Sequence, residues 1–256
     1  MYRSVRIAVV VPAFNEEALI GTVISTMPDL VDEIVVVDDC SSDRTVEAAL
    51  ASGDPRVIVL RNSANTGVGG TILNGYRKAL AGGCDVAVIM AGDAQMDPDY
   101  LPALLDPLVD EGYDFAKGNR FFSRNSFRGM PNHRIIGNIA LSLMTRVASG
   151  YWHIFDTQNG YTAIRTRTLQ QLPLDKIARG YAFENDMLVH LSMAQARVRD
   201  VPIPAVYGRE VSSIRLHTVA PALAWLLFRR FWLRLWRKHM VRLRMAEGGH
   251  ADTGEA

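Results

Sequence analysis

An α/β protein with a mainly parallel central sheet is predicted by three features of this 256-residue sequence. Short β-branched runs alternate with helix-length segments through the first half, the pattern of βαβ units. The runs are apolar throughout, as in strands covered on both faces. Three of them end in polar clusters: Pro12-Ala13-Phe14-Asn15-Glu16-Glu17, Asp38-Asp39-Cys40-Ser41-Ser42-Asp43 and Gly92-Asp93-Ala94-Gln95. Parallel strands set their C-terminal ends along one edge, where α/β proteins bind ligands. Carboxylates, amides and hydroxyls with few cations on that edge suit a sugar nucleotide and a metal ion.

The elements follow in order. Residues 7–11 form a continuous β-branched strand. Past Pro12, residues 16–27 read as a helix that stops before Pro28. Residues 33–37 are a second strand, and Ser42 or Asp43 caps a helix running to about residue 51. Strands at 56–60 and 86–90 flank a helix at 69–81. Pro98 stands near the start of another helix, with Asp97 as its cap, and 114–117 is a fifth strand. The second half is less regular: a helix at 135–149, a strand at 161–164, a helix at 185–196 and an extended segment at 198–204. The expected organisation is one catalytic domain over 1–212, a basic aromatic helical segment over 213–246 and a disordered polar tail over 247–256.

Hydrophobic content of 48% and charged content of 21% are those of a folded globular chain. The net charge of +1 conceals an asymmetry. Residues 211–246 hold eight Lys/Arg and no Asp/Glu, whereas residues 1–210 hold 20 against 24. A basic tail on a mildly acidic body points to an anionic surface as the tail's partner. Two cysteines, Cys40 and Cys84, make neither a disulfide framework nor a zinc site and read as reduced thiols. The opening residues run straight into a strand, with no signal-peptide pattern. No apolar stretch reaches the roughly 20 residues a spanning helix needs. The expected location is cytoplasmic, peripheral on the inner face of a membrane.

The glycine-rich run Asn65-Thr66-Gly67-Val68-Gly69-Gly70 has neither GxGxxG spacing nor Gly-Lys-Ser/Thr. Dinucleotide-binding and P-loop readings therefore fail, and the glycines are assigned to a positive-φ turn and close helix packing. Asp93 with Gln95 is the sharper signal. Mg2+ or Mn2+ on a nucleotide takes one or two protein carboxylates and fills its other positions with phosphate oxygens and water. The bland role for a strand-end Asp is a cap or turn.

Taken together, the three clusters resemble the N-terminal motifs of inverting glycosyltransferase family 2. Gly118-Asn119-Arg120, Asp156-Thr157-Gln158-Asn159-Gly160-Tyr161 and Phe183-Glu184-Asn185-Asp186 continue the likeness. Within the family, order and spacing are most similar to the dolichyl- or polyprenyl-phosphate sugar transferases, over roughly residues 5–215. The resemblance implies a GT-A fold. It places Pro12, Phe14, Asn15, Glu16, Asp38 and Asp39 on the nucleoside, with Asp39 at the base. Gly92, Asp93, Gln95 and Arg209 fall around the diphosphate, and Asp93 with Gln95 at the divalent ion. One departure stands out, because the family's first acidic residue of the Asp-x-Asp motif falls on Ala91.

The resemblance also places Arg120 and Arg134 at an acceptor phosphate. A phosphate acceptor is already an anion and needs positioning by cations, which the planar Arg fork supplies. A hydroxyl acceptor would instead need a general base. Glu184 and Asp186 lie where related polysaccharide synthases place theirs; either could serve, orient substrate or cap the following helix. Asp156, Gln158 and Asn159 line a pocket or a turn. His153 and His217 have no metal spacing.

From Pro221 to Met245, helical spacing groups Trp225, Phe228, Trp232, Leu235 and Trp236 on one side, with Arg230, Arg234, Arg237 and Lys238 over much of the rest. This describes an amphipathic helix in a membrane interface. The competing arrangement packs the Trp stripe on the catalytic domain or on a second copy of the chain, leaving a homo-oligomer open. Nucleic acid is not an expected partner, since the body is acidic.

The expected activity is inverting transfer of a hexose from a nucleotide-diphosphate sugar, of GDP-mannose or UDP-glucose type, to polyprenyl or dolichyl phosphate. The alternatives are transfer to a saccharide or glycolipid hydroxyl, and a catalytically silent nucleotide-sugar binder with a membrane partner, which Ala91 favours.

Overall fold

Seven-residue β1 (Ile7–Ala13) is the centre of the sheet, and its alternate residues are buried against different layers. Ile7, Val9, Val11 and Ala13 face one apolar core, while Ala8 and Val10 face the other. A strand covered on both faces has no place for polar residues, which is why the run reads as continuous β-branched sequence. The structure is a computed structural model that describes residues 1–122, 132–204 and 216–248.

In chain order the further elements are α1 (Ile20–Ser25), β2 (Glu33–Asp38), α2 (Thr45–Leu50), β3 (Val57–Arg61), α3 (Val68–Ala81), β4 (Val86–Ile89), α4 (Leu101–Val109), β5 (Phe115–Asn119), α5 (Asn132–Ser149), β6 (Thr162–Arg165), α6 (Thr166–Leu169), α7 (Phe183–Met193), β7 (Val198–Pro202) and α8 (Leu216–Gly248). The strand order is β3-β2-β1-β4-β6-β5-β7. All neighbours are parallel except β6, which runs antiparallel between β4 and β5. Helices α1, α2 and α4 cover one face, and α3, α6 and α7 cover the other. Beyond α7 a third, smaller apolar cluster joins α5, α7 and α8 through Ala148, Val189, Leu223 and Leu227.

Register brings the polar clusters together. Ala13 lies opposite Asp38, and Val10 opposite Ile89. Beyond the paired residues the ladder continues: Asp39 N–H donates to the Ala13 carbonyl at 2.9 Å and Gly92 N–H to the Pro12 carbonyl at 3.1 Å. Three strand ends therefore finish level on one edge.

The expected helix at 16–27 forms only from Ile20. Asn15 turns through the left-handed region (φ 57°), and the N–H groups of Asn15, Glu16 and Glu17 are held by the side chains of Ser41, Thr45 and Asp43. Asp97 does cap the turn at Pro98, accepting from Asp99 N–H at 2.9 Å. Asp43, rather than Ser42, accepts from the first N–H of α2, that of Thr45, at 3.1 Å.

Helix α3 lies directly on β1 because Gly75 has no side chain; a Cβ there would overlap the Val10 side chain. Gly75→Ala should therefore strain this contact and lower stability by about 1–3 kcal/mol. A lower urea midpoint with an unchanged slope would register it.

Candidate active site

The first two clusters are stitched into one loop pair by reciprocal bonds. Asn15 N–H donates to Ser41 Oγ at 2.9 Å, Glu16 N–H to Thr45 Oγ1 at 2.8 Å and Glu17 N–H to Asp43 Oδ2 at 3.1 Å. In return Ser42 N–H donates to Asn15 Oδ1 at 2.9 Å. Each of the three clusters also turns through one non-glycine residue in the left-handed region: Asn15 (φ 57°), Cys40 (φ 65°) and Ala94 (φ 56°). Such conformations are strained for L-residues and collect at sites whose surroundings over-determine them. Phe14 is left half-exposed on the rim, with Pro12 and Glu16 half-buried beside it.

Asp39 is buried and fully engaged. Its Oδ1 accepts from Asn62 Nδ2 at 2.8 Å, Thr66 N–H at 2.8 Å and Thr66 Oγ1 at 2.9 Å, and its Oδ2 accepts from Gly67 N–H at 2.9 Å. Burial works to raise its pKa, but these hydrogen bonds outweigh it and hold the carboxyl below the ordinary range. Asp39 thereby organises the start of α3, where Gly67 has φ +78° and Gly69 packs on Phe183 and the Ala178 and Arg179 carbonyls. The glycine run is thus a packing device, and it packs on the segment before α7. Asp38 must be moved out of the nucleoside group. It is wholly buried, its carboxylate accepts from Ser41 N–H at 3.3 Å, and Arg61 Nε sits 3.3 Å away.

At the end of β4, Asp93 is half-buried and its Oδ1 accepts from Gln95 N–H at 3.0 Å. Buried Gly92 brings this turn against Glu16, since a Cβ there would lie 3.3 Å from Glu16 Cγ. Among the described residues no cluster of three or more His, Cys, Asp or Glu forms a metal cage. A single carboxylate beside an amide, with Ala91 where a second acid would stand, fits an ion that takes most of its ligands from a nucleotide diphosphate and water.

The end of β5 carries the cations. Arg120 lies in a two-pronged bond with wholly buried Asp156, Nε to Oδ2 at 2.7 Å and Nη2 to Oδ1 at 3.0 Å. Asp156 starts a buried loop whose Gln158 Nε2 donates to Asn185 Oδ1 at 2.7 Å. Glu184 lies behind Gly160 of this loop. Burial raises its pKa above the usual carboxylate value, against the pull of the Lys117 ammonium. Asn119 and Phe121, on either side of Arg120, line a mainly apolar groove of about 400 Å³ completed by Phe122, Ile139, Ser142, Leu143, Arg146 and Phe155. Arg134 is on the first turn of α5, with its side chain outside the described residues; Arg209 lies outside them altogether.

A family model for glycosyl transferase family 2 matches residues 8–172. The chain belongs to this family. Undecaprenyl-phosphate mannosyltransferase of Micrococcus luteus is 33% identical over 78% of this chain and 84% of its own. The UDP-N-acetylglucosamine–dolichyl-phosphate N-acetylglucosaminyltransferase of Methanococcus voltae is 28% identical over 78% of this chain and 86% of its own. Among solved structures, glucosyl-3-phosphoglycerate synthase from Mycobacterium tuberculosis in complex with UDP superposes with a TM-score of 0.67 at 25% identity, covering 90% of this chain and 80% of the synthase. The fold is accordingly GT-A-like.

In this family 2 glycosyltransferase the second acid of the Glu184-Asn185-Asp186 motif is a structural anchor, which corrects its reading as a base. Asp186 is wholly buried, receives Arg230 Nε at 2.7 Å and Nη2 at 2.9 Å, and accepts from Ala178 N–H at 2.9 Å. The partner arginine belongs to α8, so two of the expected surface cations are docking groups. Arg230 holds Asp186, and Arg234 donates to the Ser149 and Val147 carbonyls at 2.9 and 3.1 Å. Leu223 and Leu227 continue that docking stripe into the third core. The Trp stripe faces outward instead: Trp225, Phe228, Trp232 and Trp236 are all more than half exposed. His153 is a packed histidine whose Nε2 lies 2.9 Å from the Val198 carbonyl.

Lys117 and Asp200 were not singled out from sequence. Lys117 interrupts an apolar strand run, and Asp200 lies in an extended segment; the former was the available signal. Asp186→Ala should strip Arg230 of its buried partner and cost about 3–5 kcal/mol. Limited proteolysis would then cut at α8 faster than in the wild type, while the β-sheet signal in circular dichroism stays.

Proposed function

We propose that this protein transfers a hexose from a nucleotide-diphosphate sugar to a polyprenyl phosphate at a membrane surface, with inversion at the anomeric carbon. The observation that carries the reading is an arginine fork beside an apolar groove. Arg120, fixed by Asp156, lies next to the groove, whose apolar wall is Phe121, Phe122, Ile139, Leu143 and Phe155 and which Arg146 also lines. A phosphate on an isoprenoid chain needs both at once, an anion site and a dry channel. The named activities of the Micrococcus luteus and Methanococcus voltae relatives support the same acceptor class.

The donor nucleoside would lie along Pro12, Phe14, Asn15 and Glu16, with Asp39 ordering the wall behind it. Asp93 and Gln95 would hold Mg2+ or Mn2+, which supplies positive charge to the leaving diphosphate. The related synthase crystallised with UDP and either Mn2+ or Mg2+ supports a divalent ion. Arg209 would sit at the diphosphate and Arg134 would join Arg120 on the acceptor. An acceptor phosphate oxygen, already anionic, attacks the anomeric carbon from the face opposite the nucleotide; the bond to the diphosphate breaks and its electrons leave with it. No proton has to be removed from such a nucleophile, so Glu184 is assigned to orientation rather than to base catalysis.

Exposed aromatics along α8 support membrane contact. Trp225 stacks on Phe228 at 5.8 Å and Phe228 meets Trp232 edge-on at 6.2 Å, a continuous apolar ridge away from the body. Among the described residues no helix is long and apolar enough to cross a membrane, which suits contact from one face.

The deciding experiment supplies purified protein with polyprenyl phosphate, Mn2+ or Mg2+, and labelled GDP-mannose or UDP-glucose in separate reactions. Label moving into the organic phase supports the reading; label on a saccharide hydroxyl, with Glu184→Gln slowing it by 10²-fold or more, would replace it. Chelation should abolish transfer, and Asp93→Ala should lower kcat by about a hundredfold. Ala91→Asp should reduce the metal concentration needed for half-maximal rate, because it restores a second carboxylate.

A further inference from the structure

Lys117 is a buried cation with no part in the reaction described above. It is 1% exposed, on the β5 face shared with Phe115, inside the apolar layer between the sheet and helices α3 and α7. Burying an ammonium is costly unless it is paired and hydrogen-bonded, so its retention there asks for a partner. The structure supplies two. Its Nζ donates to the Asn159 backbone carbonyl, and it shares a small enclosed cavity with Glu184, Tyr76, Thr162 and Gly160.

The Asn159 carbonyl belongs to the loop that begins at Asp156. At its other end that loop fixes Arg120 through the two-pronged carboxylate bond. The loop is further tied by Gln158 to Asn185 and by Asn159 Oδ1 to Tyr161 N–H at 3.1 Å. Chain direction thus runs from the buried Lys117 ammonium, through the 156–160 backbone, to the guanidinium beside the apolar groove. Lys117 and Arg120 are themselves on the same strand end, three residues apart. A rigid strand beneath and a tethered loop above hold Arg120 from both sides.

We infer that Lys117 is a positioning residue for the acceptor phosphate: by anchoring the Asn159 carbonyl, with Glu184 as its buried counter-charge, it fixes the loop through which Asp156 aims Arg120. The inference rests on the proposed acceptor. It concerns aim and not contact, since Lys117 is sealed from the groove.

The charged and titratable groups around Lys117 come from every neighbouring element: Glu184 on α7, Asp156 on the loop, Arg120 after β5, Asp200 on β7 and Tyr76 on α3. Burial brings the Lys117 ammonium down to about 8, with Glu184 and Asp156 pulling the other way. Burial likewise raises Asp200 to about 6, against its hydrogen bond from Asn119. A Lys whose folded pKa lies below its unfolded value binds fewer protons when folded, so its burial penalty is present below about pH 8 and is relieved as pH rises through the interval to the unfolded value. Loss of the charge above pH 8 should loosen the loop while stability itself rises.

The test compares wild type with Lys117→Met, which keeps the side-chain volume and removes the charge. The expected result is a rise of about tenfold in KM for polyprenyl phosphate, with KM for the donor within twofold; the melting temperature falls, because Glu184 and the Asn159 carbonyl lose their partner, while the variant stays folded at the assay temperature. Wild-type acceptor KM should also climb above pH 8 and lose that climb in the variant. Should that variant fail to fold, Lys117→Leu, which also removes the charge and the donor while leaving Glu184 in place, carries the same comparison. An unchanged acceptor KM in a folded variant overturns the inference, as does an equal loss in donor and acceptor KM. If the wild type moves no label to polyprenyl phosphate, the proposed function has failed. The positioning role is then read from a crystal structure of Lys117→Met: a displaced Asp156–Arg120 pair supports it, and a superimposable one overturns it.

Discussion

The placement of β1 between β2 and β4, parallel to both and in a fixed register, is the constraint on which everything else depends. Because Ala13 meets Asp38 and Val10 meets Ile89, three chain segments must leave the sheet side by side. A one-residue slip would exchange the two apolar faces of β1 and take Val10 away from Gly75, so the packing of both layers locks the register. The site inherits its geometry from that lock. Asn15, Ser41, Asp43 and Thr45 can exchange hydrogen bonds only because the strand ends finish level.

Buried carboxylates perform most of the organising. Asp39 gathers the turn before α3, Asp156 holds Arg120, and Asp186 holds Arg230. In each case the ion is out of water but accepts several directed donors, the condition under which a buried charge is tolerated. The arrangement separates two kinds of acid. Carboxylates satisfied by the protein shape the walls, and Asp93, the proposed metal ligand, is half-buried and accepts from Gln95 N–H.

Helix α8 is joined to the catalytic body by the same chemistry. Its inner stripe of Leu223, Leu227, Arg230 and Arg234 is spent on α5 and α7, while its aromatic ridge stays outside. Asp186 follows Glu184 by two residues, so the anchor of the outer helix and the acid that shares the cavity with Lys117 occupy the same turn of α7. The orientation of the ridge is thereby fixed relative to the groove beside Arg120.

Local pattern was enough for the βαβ framework, the level strand ends and the family, because β-branched runs, caps and turn residues are short-range properties. Asp97 as a cap and the glycine run as a packing device were readable for that reason. It was not enough for residues whose role depends on a partner far along the chain. Asp186 and Glu184 are indistinguishable as two acids in one short motif; a guanidinium 44 residues later captures one of them. Arg230 and Arg234 count as surface cations until the docking stripe is seen, and the N–H groups of Asn15, Glu16 and Glu17 find Ser41, Thr45 and Asp43 only once β1 and β2 have paired. Side-chain chemistry states what a residue can bond to, and only the folded chain sets which of those bonds is within reach.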